Sequence, residues 1–257
     1  MSKEVKVTGD SKPEQVVNHV LIVLDESGSM GIVRQNTIDG FNEQLMALQE
    51  KVADNEETRV TMAIFSDLRN IRVIYEGEDA ATVQPLNEDT YRPGGGTALY
   101  SAIEQGLNQM QMSVKDPHDP ANAYLVIIIS DGDENASSYE HRASVPERIK
   151  TLDAQDPWTF TYIGANVDIT KIAAAMNLQA GNTAAYTSSP VGTESAFAAT
   201  GKSLHRYRSM RSADLGVRSV SDFYEATVGS CVDEDFVNKE SQDTPDSTDD
   251  SSGPENT

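Results

Sequence analysis

Five oxygen-bearing side chains in this 257-residue sequence are of the type and spacing that could hold a hard metal ion. Asp25, Ser27 and Ser29 alternate along one short stretch, so a carboxylate and two hydroxyls issue from a single loop. Thr97 follows Pro93, Gly94, Gly95 and Gly96, a flexible run that delivers its hydroxyl just ahead of a helix. Asp131 comes directly after the apolar run of residues 124–130. Carboxylate and hydroxyl donors without imidazole or thiolate suit Mg²⁺, Mn²⁺ or Ca²⁺. Asp133 and Glu134 lie beside this set, either as outer rim groups or as solvated loop acids, and Asn166 to Asp168 could share the same rim. With no metal bound, Ser29 or Asp25 would instead cap the helix that follows.

Other chemistries fit less well. Asp131 begins a stretch like a calcium-binding helix-loop-helix, but the sixth and twelfth positions are Ala136 and Arg142 where Gly and Glu are needed. Gly94 to Gly96 is followed by Thr97 and Ala98, so it lacks the Gly-Lys-Ser/Thr of a phosphate-cradling loop. Ser27 to Gly31 misses the strand-to-helix nucleophile elbow. The four histidines, His19, His118, His141 and His205, are scattered. Cys231 is the single cysteine, which excludes an intramolecular disulfide or a multi-cysteine zinc site.

The elements that must carry these residues follow from hydrophobic period. Residues 19–25 and 124–130 are continuous apolar runs, as in strands buried on both faces of a parallel sheet, and Trp158 to Ile163 is a third. Arg59 to Phe65 and Ile71 to Tyr75 alternate around turn residues and read as an antiparallel hairpin at an edge. Ala184 to Thr187 would supply a last short strand. Helical faces run through Ile38, Phe41, Leu45, Leu48 and Val52, through Leu99, Ile103, Leu107 and Met110, and through Ile169, Ile172, Ala173 and Met176. The expected fold is α/β: a Rossmann-like, open, mostly parallel sheet with one antiparallel edge strand and helices on both faces. Ligands of such sheets gather at the carboxyl ends of the strands, where the five residues fall.

In this arrangement Asp25, Ser27, Ser29, Thr97 and Asp131 resemble the metal-ion-dependent adhesion site of the von Willebrand factor type A domain, over residues 18–188. The resemblance implies that the three hydroxyls bind the ion, that the two acids act directly or through water, and that Mg²⁺ is the expected ion, with Mn²⁺ or Ca²⁺ possible. It also implies a protein partner that presents Asp or Glu to the metal, and a role in binding rather than catalysis. The resemblance is to the intracellular bacterial or phage-like type of this domain, which implies an alternative, service as an accessory subunit of an ATPase, stress or mobile-element system through the same site. A Mg²⁺-dependent hydrolase would need more carboxylates or histidines than this rim supplies.

Charge completes the reading. The chain carries −21, which disfavours nucleic acid and anionic membrane as partners. Residues 1–17 read as a polar tail, 18–188 as the domain, 189–228 as a helical extension packing on it, and 229–257 as an acidic disordered tail. That last segment accounts for −8, leaving −13 on the remainder. Lys202, Arg206, Arg208, Arg211 and Arg218 give the extension a basic face, read first as solvated surface and otherwise as a dock for the acidic tail or an acidic partner. Without an apolar segment of signal or spanning length, the expected location is cytoplasmic.

Overall fold

The computed structural model describes residues 15–131, 134–165, 167–213 and 216–224. Among these, six strands form one sheet: β1 (Val16–Asp25), β2 (Glu56–Phe65), β3 (Ile71–Asp79), β4 (Asn122–Ser130), β5 (Trp158–Ala165) and β6 (Thr183–Tyr186). Their order is β3-β2-β1-β4-β5-β6, and every neighbouring pair is parallel except β2 with β3. The helices are α1 (Arg34–Gln49), α2 (Leu99–Ser113), α3 (Tyr139–Asp153), α4 (Ile169–Met176) and α5 (Pro190–Ala213).

The alternation of side chains along β1 explains the layering. Val20, Ile22 and Leu24 face a core built with Phe41 and Leu45 of α1 and Phe197 and Leu204 of α5. Leu21 and Val23 face the opposite core, built with Ile103 and Leu107 of α2 and Val145 and Ile149 of α3. A strand covered on both faces has no polar side to alternate with, hence the continuous apolar run. The chain winds from β1 outward to β2 and β3, then returns across β1 to β4, β5 and β6. The order therefore reverses between β1 and β4, and a crevice opens at their carboxyl ends. Asp25 closes one of these strands and Asp131 follows the other.

Several elements differ from the sequence reading. β1 takes in Val16 and Val17, which the pattern assigns to a tail over 1–17. Val16 is buried and its N–H donates to Asn55 O at 2.8 Å. Residues 1–14 and 225–257, with Cys231 and the acidic segment, lie outside the described residues. α1 stops at Gln49 because Glu50 turns extended, so Val52 is not on its face. In α4 only Met176 of the four periodic residues is fully buried. α3 has no helical face in the sequence reading, since Val145, Ile149 and Leu152 are its only buried residues and Pro146 lies within it.

The basic face of residues 193–218 is also corrected. Arg208 and Arg211 are 2% and 1% exposed and are not a solvated surface. They point from α5, which lies along α1, into the amino end of the sheet, where Arg208 meets the Glu56 carboxylate at 2.6 Å. Arg206 pairs with Asp222, and Arg218 with Asp156. No helix among the described residues is long and apolar enough to cross a membrane.

Candidate metal centre

At the carboxyl end of β1 the Asp25 side chain is fully buried. Its Oδ1 accepts from Ser27 N–H at 2.6 Å and its Oδ2 from the Ser130 hydroxyl at 2.5 Å. Tyr91 donates its hydroxyl to the Asp25 carbonyl at 2.6 Å, fixing the backbone from which the carboxylate hangs. Ser29 donates to Asp131 Oδ1 at 2.6 Å, and the Ser27 and Ser29 hydroxyl oxygens are 3.0 Å apart. Ser29 spends its proton on Asp131, so Ser27 is the donor between the two serines. Asp25, Ser27, Ser29 and Asp131 thus form one hydrogen-bonded series across the β1–β4 crevice.

Neither the 3₁₀ turn Gly28–Val33 nor α1 has a side-chain cap. The capping alternative for Asp25 and Ser29 does not hold, and the serine hydroxyls face the acids instead.

Thr97 is buried on the adjoining loop, and it is held through its backbone. Its N–H donates to Asn135 Oδ1 at 2.9 Å, while its carbonyl accepts from the N–H groups of Asn135 and Ala136, each at 3.1 Å. Among the described residues its hydroxyl takes no hydrogen bond. The loop must pass close to its neighbours to bring Thr97 there. Gly95 has φ +78° and a Cβ on it would lie 3.0 Å from Asp67 Oδ2, while a Cβ on Gly96 would meet Asn135 Oδ1 at 2.7 Å. Only glycine accommodates both the left-handed backbone and the contact.

Glu26, which the sequence reading passes over, fastens this loop. One of its carboxylate oxygens accepts from Arg92 N–H and the other pairs with Arg72 at 2.8 Å, while its carbonyl accepts from Gly94 N–H at 2.8 Å. Asn135, Tyr91 and Ser130 are likewise missed. No spacing rule marks them, because each acts on a residue distant in sequence. The rim acids behave differently from their first reading. Glu134 accepts from Ser137 and from Tyr100 N–H and pairs with Arg142, so it joins the starts of α2 and α3. Asp168 caps α4 by accepting from Lys171 N–H. Asp133 and Asn166 lie outside the described residues.

Electrostatically the site lacks a counter-charge among the described residues. Among the described residues no Lys or Arg pairs with Asp25 or Asp131. Burial pushes the Asp25 carboxyl up to about 6 against the opposing hydrogen bonds from Ser130 and Ser27, and burial raises Asp131 as well. No group of three or more His, Cys, Asp or Glu side chains that could hold a metal ion occurs among the described residues. The donors are two carboxylates and three hydroxyls, a hard-oxygen set that suits a divalent cation such as Mg²⁺, Mn²⁺ or Ca²⁺.

A switch-point α/β sheet with one antiparallel edge and an acid–hydroxyl cluster at its carboxyl end defines a class of ligand-binding domain. The chain belongs to the von Willebrand factor type A domain family, whose model matches residues 19–192. Domains of this family are typically protein-interaction modules. The fold is similar to that of proximal thread matrix protein 1 from the mussel byssus, solved with a zinc-occupied MIDAS motif. That pair is 16% identical, covers 76% of this chain and 47% of that one, and has a TM-score of 0.50. It is similar also to the pilus adhesin SpaC of Lactobacillus rhamnosus GG, at 15% identity, 75% and 30% coverage and a TM-score of 0.53. The vWF domain of the type V pili tip protein Mfa5 from Porphyromonas gingivalis gives 10% identity, 75% and 96% coverage and a TM-score of 0.53. The chain spans less than half the length of the mussel protein and under a third of SpaC. A search of curated proteins gives no match.

Proposed function

We propose that Asp25, Ser27, Ser29, Thr97 and Asp131 hold one divalent cation, Mg²⁺ foremost, and that this cation receives an Asp or Glu side chain from a protein partner. The observation that supports this most is a pair of carboxylates without a basic partner among the described residues, set among hydroxyls that cap no helix. Both Asp25 oxygens already accept hydrogen bonds, so Asp25 would act on the ion largely through water. Neutral hydroxyls and water leave the cation much of its positive charge and an exchangeable position, and Mg²⁺ keeps several waters in such sites. A carboxylate from outside then gains most by entering. The role is protein binding rather than catalysis, and the pilus and matrix proteins of similar fold are consistent with that reading.

The test is thermal unfolding of the full chain in EDTA and in Mg²⁺, Mn²⁺, Ca²⁺ or Zn²⁺, the last because zinc occupies the motif of the mussel protein. At a hundred times its Kd an ion that binds only the native state should add about 2.7 kcal/mol. Wild type should show that saturable gain and Asp25→Ala should not. If no ion stabilises the wild type, the metal assignment is wrong.

A further inference from the structure

The chemistry of the partner can be taken beyond a single carboxylate, on the assumption that the metal site is as proposed. Six large hydrophobic side chains are exposed among the described residues, and three of them stand on or directly after the connections that build the candidate site. Single exposed apolar residues are ordinary. A set on loops tied to one candidate site is not scattered in that way.

Ile32 lies three residues beyond Ser29 on the 3₁₀ turn. Met30 and Val33 of that turn are buried and Ile32 is 82% exposed. Leu68 is at the tip of the β2–β3 connection, next to the strand end that pairs with Asp25. That connection is fastened to the threonine loop, since Ala98 N–H donates to Ser66 O at 2.6 Å. Tyr139, 90% exposed, opens α3 directly after the segment whose Asn135 and Ala136 clamp Thr97. Each apolar group therefore rides on backbone that also positions a candidate ligand. Beside Leu68 is Arg69, exposed, and its guanidinium has no hydrogen-bond or ion-pair partner among the described residues. Against the chain's net charge of −21, an exposed arginine at this end supplies a local positive charge that an anionic visitor can meet.

We propose that Ile32, Leu68 and Tyr139, with Arg69, form a docking rim around the metal, and that the occupant is a segment of another protein carrying an acidic residue flanked by aliphatic or aromatic side chains. The acid addresses the cation, its apolar neighbours cover the three exposed groups, and a second acid in the segment meets Arg69. Aromatic and arginine side chains commonly anchor such interfaces.

Two blocked peptides test this on the full chain in Mg²⁺, with binding read from amide chemical shifts. One is acetyl-GLFDLEG-amide and the other is acetyl-GSSDSEG-amide, which keeps both acids and replaces the apolar residues. The apolar peptide should bind about tenfold more tightly, a difference of about 1.4 kcal/mol. The combined variant Ile32→Ser, Leu68→Ser, Tyr139→Ser should bind both peptides equally while keeping the wild-type thermal gain from Mg²⁺. Arg69→Ser should weaken both peptides. Equal binding of the two peptides by wild type, an unchanged preference in the triple variant, or no binding of either peptide to the metal-loaded chain would overturn the proposal. A Mg²⁺-dependent dimer that the triple variant abolishes would assign the rim to a second copy and overturn the assignment to another protein. So would peptide binding that appears only after Asp233→Asn, Glu234→Gln and Asp235→Asn, which would assign it to this chain's own acidic segment. Absence of any thermal gain from metal in wild type is a separate result and would fall on the metal site itself.

Discussion

The two ends of β1 both bury charge, and they treat it in opposite ways. At the amino end Arg208 gives Glu56 two hydrogen bonds, at 2.6 and 3.0 Å, and donates also to the carbonyls of Ala47 and Glu50. Asn18 continues the series, donating to Glu56 at 2.8 Å and accepting from Arg211 at 3.1 Å, and Arg211 goes on to the Ala121 carbonyl at 2.8 Å. Every charge there has its opposite or a set of dipoles. At the carboxyl end Asp25 is as deeply buried, yet among the described residues it has hydrogen bonds and no basic side chain paired with it. A buried charge that is fully partnered ties elements together, whereas one left with dipoles alone raises its own proton affinity and creates a place for a cation.

The largest effect should come from breaking the amino end. Arg208→Ala leaves Glu56 buried and unpaired beneath α5, and removal of one partner of such a pair costs about 3–5 kcal/mol. Urea denaturation should show that loss equally in EDTA and in Mg²⁺, because the network is a whole sheet length away from the candidate ligands. A loss seen only without metal would mean that the two ends are coupled.

The carboxyl end should respond with the opposite sign. The Asp25 carboxyl is raised from 3.8 to about 6 in the fold. The native state therefore binds more protons than the unfolded state between those values. That contribution to stability is fully present below pH 3.8 and is lost as pH rises through 6. At pH 7 the ionised group opposes folding by up to about 3 kcal/mol, a cost that a cation bound as proposed would offset. Asp25→Asn should accordingly raise the unfolding temperature in EDTA while abolishing the gain from Mg²⁺. A destabilised Asp25→Asn in EDTA would show that the carboxylate is already compensated in the metal-free protein.

Gly95→Ala should act more weakly at that same end. Forcing a Cβ into φ +78° costs about 1–2 kcal/mol, and the new methyl would press on Asp67. Because the same loop carries Thr97, the affinity for Mg²⁺ should fall along with stability. Thr97→Ala should lower affinity for the ion with little loss of stability in EDTA, as its hydroxyl takes no hydrogen bond among the described residues. Metal titrations followed by thermal unfolding separate the two.

The contrast between the ends also marks how far sequence reasoning reaches. Asp25, Ser27, Ser29, Thr97 and Asp131 could be nominated as candidates because strand ends and a glycine loop have local signatures, and the sheet and its antiparallel edge followed from period. The residues that hold them, Glu26, Tyr91, Ser130 and Asn135, were invisible, because an ordinary Glu or Tyr acquires its role only from a neighbour placed beside it by folding. Arg208 and Arg211 were misread for the same reason. Arginine on a helix reads as a solvated face unless the buried Glu56 and Asn18 opposite it are known. α3 escaped because its sparse apolar positions give little helical period. Its start was nevertheless marked by Ser138, whose hydroxyl accepts from His141 N–H at 3.2 Å.

The smallest effect should be protonic, and it sharpens the contrast by its direction. His19, near the amino end of β1, is 7% exposed, stacks on Tyr124 with ring centroids 5.2 Å apart and meets Asn122 Oδ1 at 3.1 Å. Burial lowers its pKa below 6.5, against the hydrogen bond to Asn122 and the pull of Glu57, and with help from Arg59 and Arg211. The native ring stays neutral where the unfolded one takes a proton. Stability linked to His19 is thus whole above pH 6.5 and declines as pH falls through the window below it, by at most about 1.4 kcal/mol per pH unit. Acidification from pH 7 to 5 therefore favours the fold at Asp25 and disfavours it at His19. In EDTA the two should partly cancel. In Mg²⁺ a cation bound as proposed would hold Asp25 ionised, so the His19 loss should stand uncovered and acid should destabilise the protein more steeply. His19→Gln keeps a donor for Asn122 and removes the proton site, and it should flatten that acid limb in Mg²⁺. An acid limb unchanged by His19→Gln would mean that this ring already charges within the fold, and that the amino end is less sealed than its arginines imply.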